Sequence, residues 1–250
     1  MPTEAAAALL RQSRVHPEWQ PLLAEALQAV DDDYLAELIA DPGWLPGPER
    51  LFAAFRRDRS GCRYLLFGES PYPRAESANG IAFQDAAVGR LWSESGLSKA
   101  VNRATSLRNL LKTALIAEGL LQPDAQGRIE QAAIAALDKR GLIDTLDDFF
   151  AALEARGVLA FNALPVLRDG CPKAREARRW QGFLERLLAG LKNDGIVLIL
   201  WGKIAENILS LPSARSFPVL RSEHPYNIGF IRNPEMQRLF AEWRLLSLRR

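Results

Sequence analysis

Four polar clusters each follow an unbroken apolar run. Glu69, Ser70 and Tyr72 lie in GESPYP after CRYLLF, Asn162 closes GVLAFN, Lys203 follows GIVLILWG, and His224 sits in SEHPYNIGF after FPVLRS. A carboxylate, a hydroxyl, a phenol, a carboxamide and an imidazole offer between them hydrogen-bond donors and acceptors of several kinds. Taken singly, a loop glutamate, a strand-end asparagine and a His-Pro bend are ordinary structural residues. Together they are the polar lining of a pocket for a small molecule or a base. Pro71 and Pro73 stiffen the first connection, which suits backbone N–H groups held toward a ligand oxygen. GESPYPRAESANG lacks the G-x-x-x-x-G-K-[ST] spacing of a phosphate loop, and G-x-G-x-x-G is absent.

The apolar runs at 62–68, 157–162, 195–202 and 217–222 read as strands covered on both faces. Helical spacing marks 98–118, 146–155, 174–192, 203–209 and 234–248, the last opening with Asn233 before Pro234, a cap followed by proline. The alternation predicts an α/β fold: a single three-layer α/β/α domain around a four-stranded, mainly parallel sheet. Loops leaving the carboxyl ends of such strands carry the chemistry, so the four clusters are expected at one rim. Residues 17–55 read as a helical preamble broken by DPGWLPGPE at 41–49. The predicted division is an N-terminal helical extension, 1–58, packed on a main domain, 59–250.

With 48% apolar side chains over 250 residues, the chain can bury one substantial core. Thirty-two basic against thirty acidic residues give a net charge of +2, so any nucleic-acid footprint has to be local. Cys62 and Cys171 are isolated, outside any C-x-x-C or Cys/His cluster, and imply neither zinc nor an iron–sulfur site. No secretory leader and no run approaching roughly 20 apolar residues is present, so a cytoplasmic protein without a membrane partner is expected.

The motifs resemble those of the uracil-DNA glycosylase superfamily, most closely its classical members. GESPYP followed by ANGIAF is similar to their GQDPYH followed by G-[LI]-A-F. SLRN at 106–109 resembles their S-L-x-N DNA loop, LAFNA at 159–163 their L-L-N strand end, and LILWGKIA at 198–205 their L-L-W-G-x-x-A segment. VLRSEHPYNIGF at 219–230 resembles the segment with their His-Pro-Ser-Pro-Leu motif.

The resemblance implies excision of uracil or a related deaminated base from DNA, after the nucleotide is flipped out of the stack. It implies substrate-binding roles for Phe83 as stacking ring, Asn162 as reader of the base edge, and Tyr72 crowding C5. It implies His224 near the uracil O2, Ile228 as a wedge in the duplex, and DNA contacts from Ser106, Arg108, Lys203 and Ser222, with Arg103 a further candidate charge. No metal or cofactor is implied by this pattern, and the protein is expected to act on DNA as a monomer.

The first motif also departs from the pattern. Ser70 stands where the classical aspartate guides the attacking water, and a neutral hydroxyl supplies no negative charge. Glu69 replaces the preceding glutamine, as in branches carrying Gly-Glu-Ala-Pro-Gly. Glu69, Ser70 and His224 are therefore the catalytic candidates, with Glu69 the candidate for water activation or cation stabilisation. Pro73 replaces the motif's histidine, and Tyr226-Asn227 replace Ser-Pro before the wedge. Two other functions fit the same residues: a binder of damaged DNA that has lost hydrolysis, and a protein acting on free nucleosides or nucleotides.

Overall fold

The computed structural model describes residues 3–124, 126 and 128–247. In chain order the elements are α1 (Glu4–Gln12), α2 (Gln20–Leu27), α3 (Asp32–Ala40), β1 (Tyr64–Gly68), β2 (Trp92–Ser93), β3 (Gly96–Leu97), α4 (Lys99–Arg103), α5 (Thr105–Ala117), α6 (Gln131–Ala136), α7 (Leu146–Ala155), β4 (Val158–Asn162), α8 (Lys173–Leu191), β5 (Val197–Trp201), α9 (Ile204–Leu209), β6 (Val219–Ser222), α10 (Gly229–Arg232) and α11 (Pro234–Trp243). The four apolar runs form one sheet in the order β4-β1-β5-β6. β1 pairs in parallel with β4, placing Phe67 beside Phe161 and Gly68 beside Asn162, and in parallel with β5, placing Phe67 beside Leu200. All five residues of β4 are buried, which is why the strand reads as apolar throughout rather than alternating.

The described chain packs as two compact units. The first contains the residues through Ala82, with Gly157–Leu200 and Ile204–Leu220. Its core takes Leu65, Phe67, Phe161 and Leu198 from the sheet and closes them under α1, α2, α3 and α8. Aromatic rings fill the centre: Trp19 meets Phe55 edge-on at 5.0 Å between centroids, Phe55 meets Phe161 at 4.9 Å, and Phe52 stacks on Phe183 at 5.7 Å. Such pairs add about 0.5–1.5 kcal/mol each beyond the area they bury. α8 approaches α2 closely because Gly190 has no side chain where Leu22 packs.

The second unit contains Phe83–Arg156, Trp201–Lys203 and the chain from Arg221 on. α5 supplies Leu107, Leu110, Leu111 and Ala114 to its interior, and α11 supplies Met236, Phe240 and Trp243. α7 starts on a capping box in which Thr145 and Asp148 satisfy each other's backbone N–H groups.

Local chemistry explains where the element bounds differ from the sequence expectation. The helix predicted over 98–118 is two helices, because Ala104 leaves helical geometry at φ −86°, ψ 82°. The helix predicted over 234–248 stops at Trp243, where Arg244 turns left-handed at φ 49°; residue 248 lies outside the described residues. α1, capped by Thr3, opens the N-terminal helical extension ahead of the stretch at 17–55 where helical spacing was read. The hairpin β2–β3 and the short helices α6 and α10 lacked a periodic signal long enough to read. Among the described residues no helix is long and apolar enough to cross a membrane.

Candidate active site

In the first unit the site residues gather where β1 and β4 end. Asn162 is 4% exposed, and among the described residues nothing hydrogen-bonds its side-chain amide. Its room comes from Gly68, directly across the ladder. A Cβ on Gly68 would collide with Asn162 Oδ1 and fall 2.7 Å from Ala82 Cβ. Ala82 is fixed in turn by its N–H donating to Ala160 O at 3.1 Å. The preceding turn is set by Asn79, whose Oδ1 accepts from Ile81 N–H at 3.0 Å, and by Gly80 at φ +84°, where any side chain would strike Arg50 O. The ANGIA sequence is thus a steric requirement of this corner.

The loop after β1 continues the pairing, with Ala163 N–H donating to Gly68 O and Leu164 N–H to Glu69 O, both at 2.9 Å. Lys173, the first residue of α8, brings its Nζ within 3.2 Å of Glu69 Oε1 and 3.0 Å of Ser70 Oγ. An ammonium is disfavoured at a helix N-terminus by the helix dipole, and the Glu69 carboxylate offsets this. Glu69 and Lys173 open onto a cleft of about 410 Å³ whose walls include Ala163, Arg178, Gln181 and Asn207. Successive residues of an extended strand face opposite ways; Ala163 lines this cleft, whereas Asn162 turns its amide to Gly68. Glu69 therefore belongs to the Ala163 side, and its immediate partner is Lys173. Tyr72 is half-buried in the same loop.

Behind Lys173, the first turn of α8 is anchored by Glu176, which is fully buried. Arg168 donates to its Oε1 from Nε at 2.9 Å and Nη2 at 2.8 Å, the Cys171 thiol donates at 3.0 Å, and Tyr34 OH donates to Oε2 at 2.6 Å. Burial pushes the Glu176 carboxyl up, but the bonds from Cys171, Tyr34 and Arg168 outweigh it and hold the group below its ordinary value.

In the second unit Phe83 adopts φ +66°. A bulky side chain in the left-handed region is an outlier held there by its surroundings. Its half-buried ring meets Trp201 edge-on at 5.2 Å and tilts against the His224 ring at 5.7 Å. Partial exposure distinguishes it from a core phenylalanine. Trp201 is fixed from behind by Phe230 at 5.1 Å and by its Nε1–H donating to Met236 Sδ at 3.2 Å.

His224 Nδ1 accepts from Tyr226 N–H at 3.1 Å. In the neutral ring that bond places the proton on Nε2, making Nε2–H a donor. Gly202, at φ +77°, leaves space for the histidine, since a Cβ there would lie 2.8 Å from His224 Cβ. Asn109 of α5 donates to Pro225 O at 2.6 Å and holds the His-Pro bend from below. This is a positioning residue that SLRN contained but whose task its type alone did not reveal.

The DNA-contact candidates all fall in the second unit. Ser106 and Arg108 sit in the first turns of α5, with Arg108 Nη1 donating to Asn102 O at 2.8 Å. Lys203 is exposed just before α9, and Ser222 Oγ donates to Glu223 O at 2.9 Å. Ile228 is 51% exposed at the tip of the loop before α10.

The sequence model of the uracil DNA glycosylase superfamily matches residues 57–244. The chain belongs to the uracil DNA glycosylase superfamily. Among superfamily members of known structure, it is 42% identical to the wild-type UNG of Nitratifractor salsuginis, with a TM-score of 0.94 over 100% of this chain and 99% of that one. It is 28% identical over 230 residues to the uracil-DNA glycosylase of Nocardioides sp., covering 88% of this chain and 83% of that protein. The mimivirus uracil-DNA glycosylase shares the fold at 17% identity and a TM-score of 0.57, over 89% of this chain and 72% of the viral one. The α/β architecture expected from the sequence is the superfamily's own.

Proposed function

We propose that the protein is a DNA repair glycosylase that hydrolyses the N-glycosidic bond of uracil in DNA. The observation that carries the reading is the largely buried Asn162 at the end of β4, whose side-chain amide has no hydrogen-bond partner among the described residues. Its acceptor and donor suit the N3–H and O4 of uracil. Phe83 stacks on the extruded base, and its strained backbone is a conformation that function explains better than packing does. Tyr72 crowds C5 and disfavours a methyl group there.

As the bond between C1′ and N1 breaks, its electron pair leaves with uracil. The Nε2–H of His224 donates to the developing O2 anion. Water adds to C1′ and its proton is released, giving an abasic site and free base. Ser70 helps hold the water, and Glu69, which lies on the Ala163 side and pairs with Lys173, supplies the negative charge that Ser70 lacks once its side chain turns toward C1′; Lys173 holds both side chains beforehand. Ser106, Arg108, Lys203 and Ser222 contact phosphates, while Ile228 fills the space the base leaves. The protein works as a monomer on DNA in the cytoplasm and uses no cofactor.

The test is release of free base from oligonucleotides containing uracil, hypoxanthine or xanthine. Uracil release is expected; a folded protein that frees none of the three contradicts the reading.

A further inference from the structure

Beside the loop that carries Tyr226 and Ile228, the second unit holds a cavity of about 430 Å³ whose lining includes Arg108, Lys112, Arg128, Gln131, Tyr226 and Ile228. Arg108 and Lys112 lie one turn apart on α5, where like charges repel. Each donates to a backbone carbonyl, Arg108 to Asn102 O at 2.8 Å and Lys112 to Ile129 O at 2.6 Å. Among the described residues neither forms an ion pair. Burial, and then the charge of Arg108, hold the Lys112 ammonium below its ordinary pKa. Glu130 contributes a carboxylate to the wall, and Arg128 pairs with Asp124 at 2.9 Å, so cations still outnumber anions around the space. At its rim Tyr226 is 67% and Ile228 51% exposed, the large hydrophobic side chains most open to solvent among the described residues. Two cations without acidic partners in a cavity that an exposed aromatic ring also lines suit a group that is anionic at one end and flat at the other.

We propose that this cavity is a nucleotide subsite for DNA flanking the lesion, with the phosphate on Arg108 and Lys112, Arg128 at the outer wall, and a neighbouring base against the Tyr226 ring. The subsite rests on the glycosylase reading, since the DNA is the one whose uracil is excised. Tyr226 lies two residues from His224 and its backbone N–H donates to the histidine Nδ1 at 3.1 Å, so the cavity adjoins the residue proposed to meet the base.

The test measures binding of the full chain to a short DNA carrying one uracil, as duplex and as single strand, by fluorescence anisotropy over a range of KCl concentrations. Lys112→Gln with Arg128→Gln is expected to weaken binding and to flatten the plot of log K against log salt. The slope should fall by about 0.9 for each duplex phosphate that is no longer neutralised, or about 0.7 on single strand. Tyr226→Ala is expected to weaken binding roughly 5- to 150-fold, with Tyr226→Phe retaining most of the affinity. Arg128→Gln alone, in an exposed loop, gives a variant whose folding is not in question. Unchanged affinity and salt slope in all these variants overturn the subsite. If the wild-type protein releases uracil while the variants bind as it does, the subsite alone falls. If the variants show reduced DNA affinity and slope while the wild-type releases no base, the subsite stands and the excision reading falls.

Discussion

Gly68 on β1 stands directly across the ladder from Asn162 on β4, and the missing Cβ of the glycine is what gives the asparagine amide its place. Gly68→Ala would drive a methyl group into Asn162 Oδ1 and Ala82. Overpacking of this kind costs about 1–3 kcal/mol, and a displacement of the amide near 1 Å costs on the order of 100-fold in rate. The expected outcome is a folded protein with modestly reduced stability in urea and a drop of that order in kcat/KM for uracil release.

Phe83 yields a prediction about stability as well as activity. Alanine at φ +66° retains the left-handed penalty of roughly 1–2 kcal/mol. Glycine escapes it but loses roughly 0.4–1 kcal/mol through its freer unfolded chain. Phe83→Gly should therefore be more stable than Phe83→Ala by up to about 1.6 kcal/mol in denaturant unfolding, while both raise KM because the stacking ring is gone. The reverse order of stability would mean that the backbone is not strained there.

Lys173 is predicted to act as a positioning residue for Glu69 and Ser70. An exposed ion pair contributes only about 0–1 kcal/mol to stability, so Lys173→Ala should leave unfolding nearly unchanged. It should nevertheless lower kcat about tenfold or more, with partial recovery in Lys173→Arg. An unaltered kcat would show that the interaction with Glu69 and Ser70 is incidental to turnover.

Glu176 governs the same helix turn through stability. Its folded-state pKa is lowered, so its contribution is fully present above the unfolded carboxylate value, about 4.3, and is lost as pH falls through the lower folded value. Removing one member of a buried charged pair costs about 3–5 kcal/mol. Glu176→Gln should thus be destabilised by about 3 kcal/mol at pH 7, the low end because Arg168 retains some solvent. The difference from wild type should shrink on acidification below about pH 4, as read from unfolding curves across pH.

β1, β4 and β5 were legible in the sequence because burial writes them as nearly continuous apolar runs; β6, expected to be covered on both faces, is instead an edge strand with no buried residue, and only its short apolar start marked it. Lys173 was not, because its meeting with Glu69 spans 104 positions and depends on where α8 begins. The anchoring by Asn109 of Pro225, across 116 positions, was hidden for the same reason. The left-handed backbone of Phe83 carried no signal either, since phenylalanine is the last type that local preference would place there. Glu69 was readable as a carboxylate in the loop after β1, but that its partner is an ammonium on the Ala163 side follows only from the fold.

Uracil excision by this chain is proposed to depend on Glu69, where its classical relatives have an aspartate one position later. The most direct measurement is single-turnover release of uracil from a uracil-containing oligonucleotide by the wild type and by Glu69→Gln, with DNA affinity measured in parallel. Release by the wild type is predicted, with a drop of at least about 100-fold in the variant and DNA affinity retained. Full-rate release by Glu69→Gln, or tight DNA binding with no release by the wild type, would contradict it.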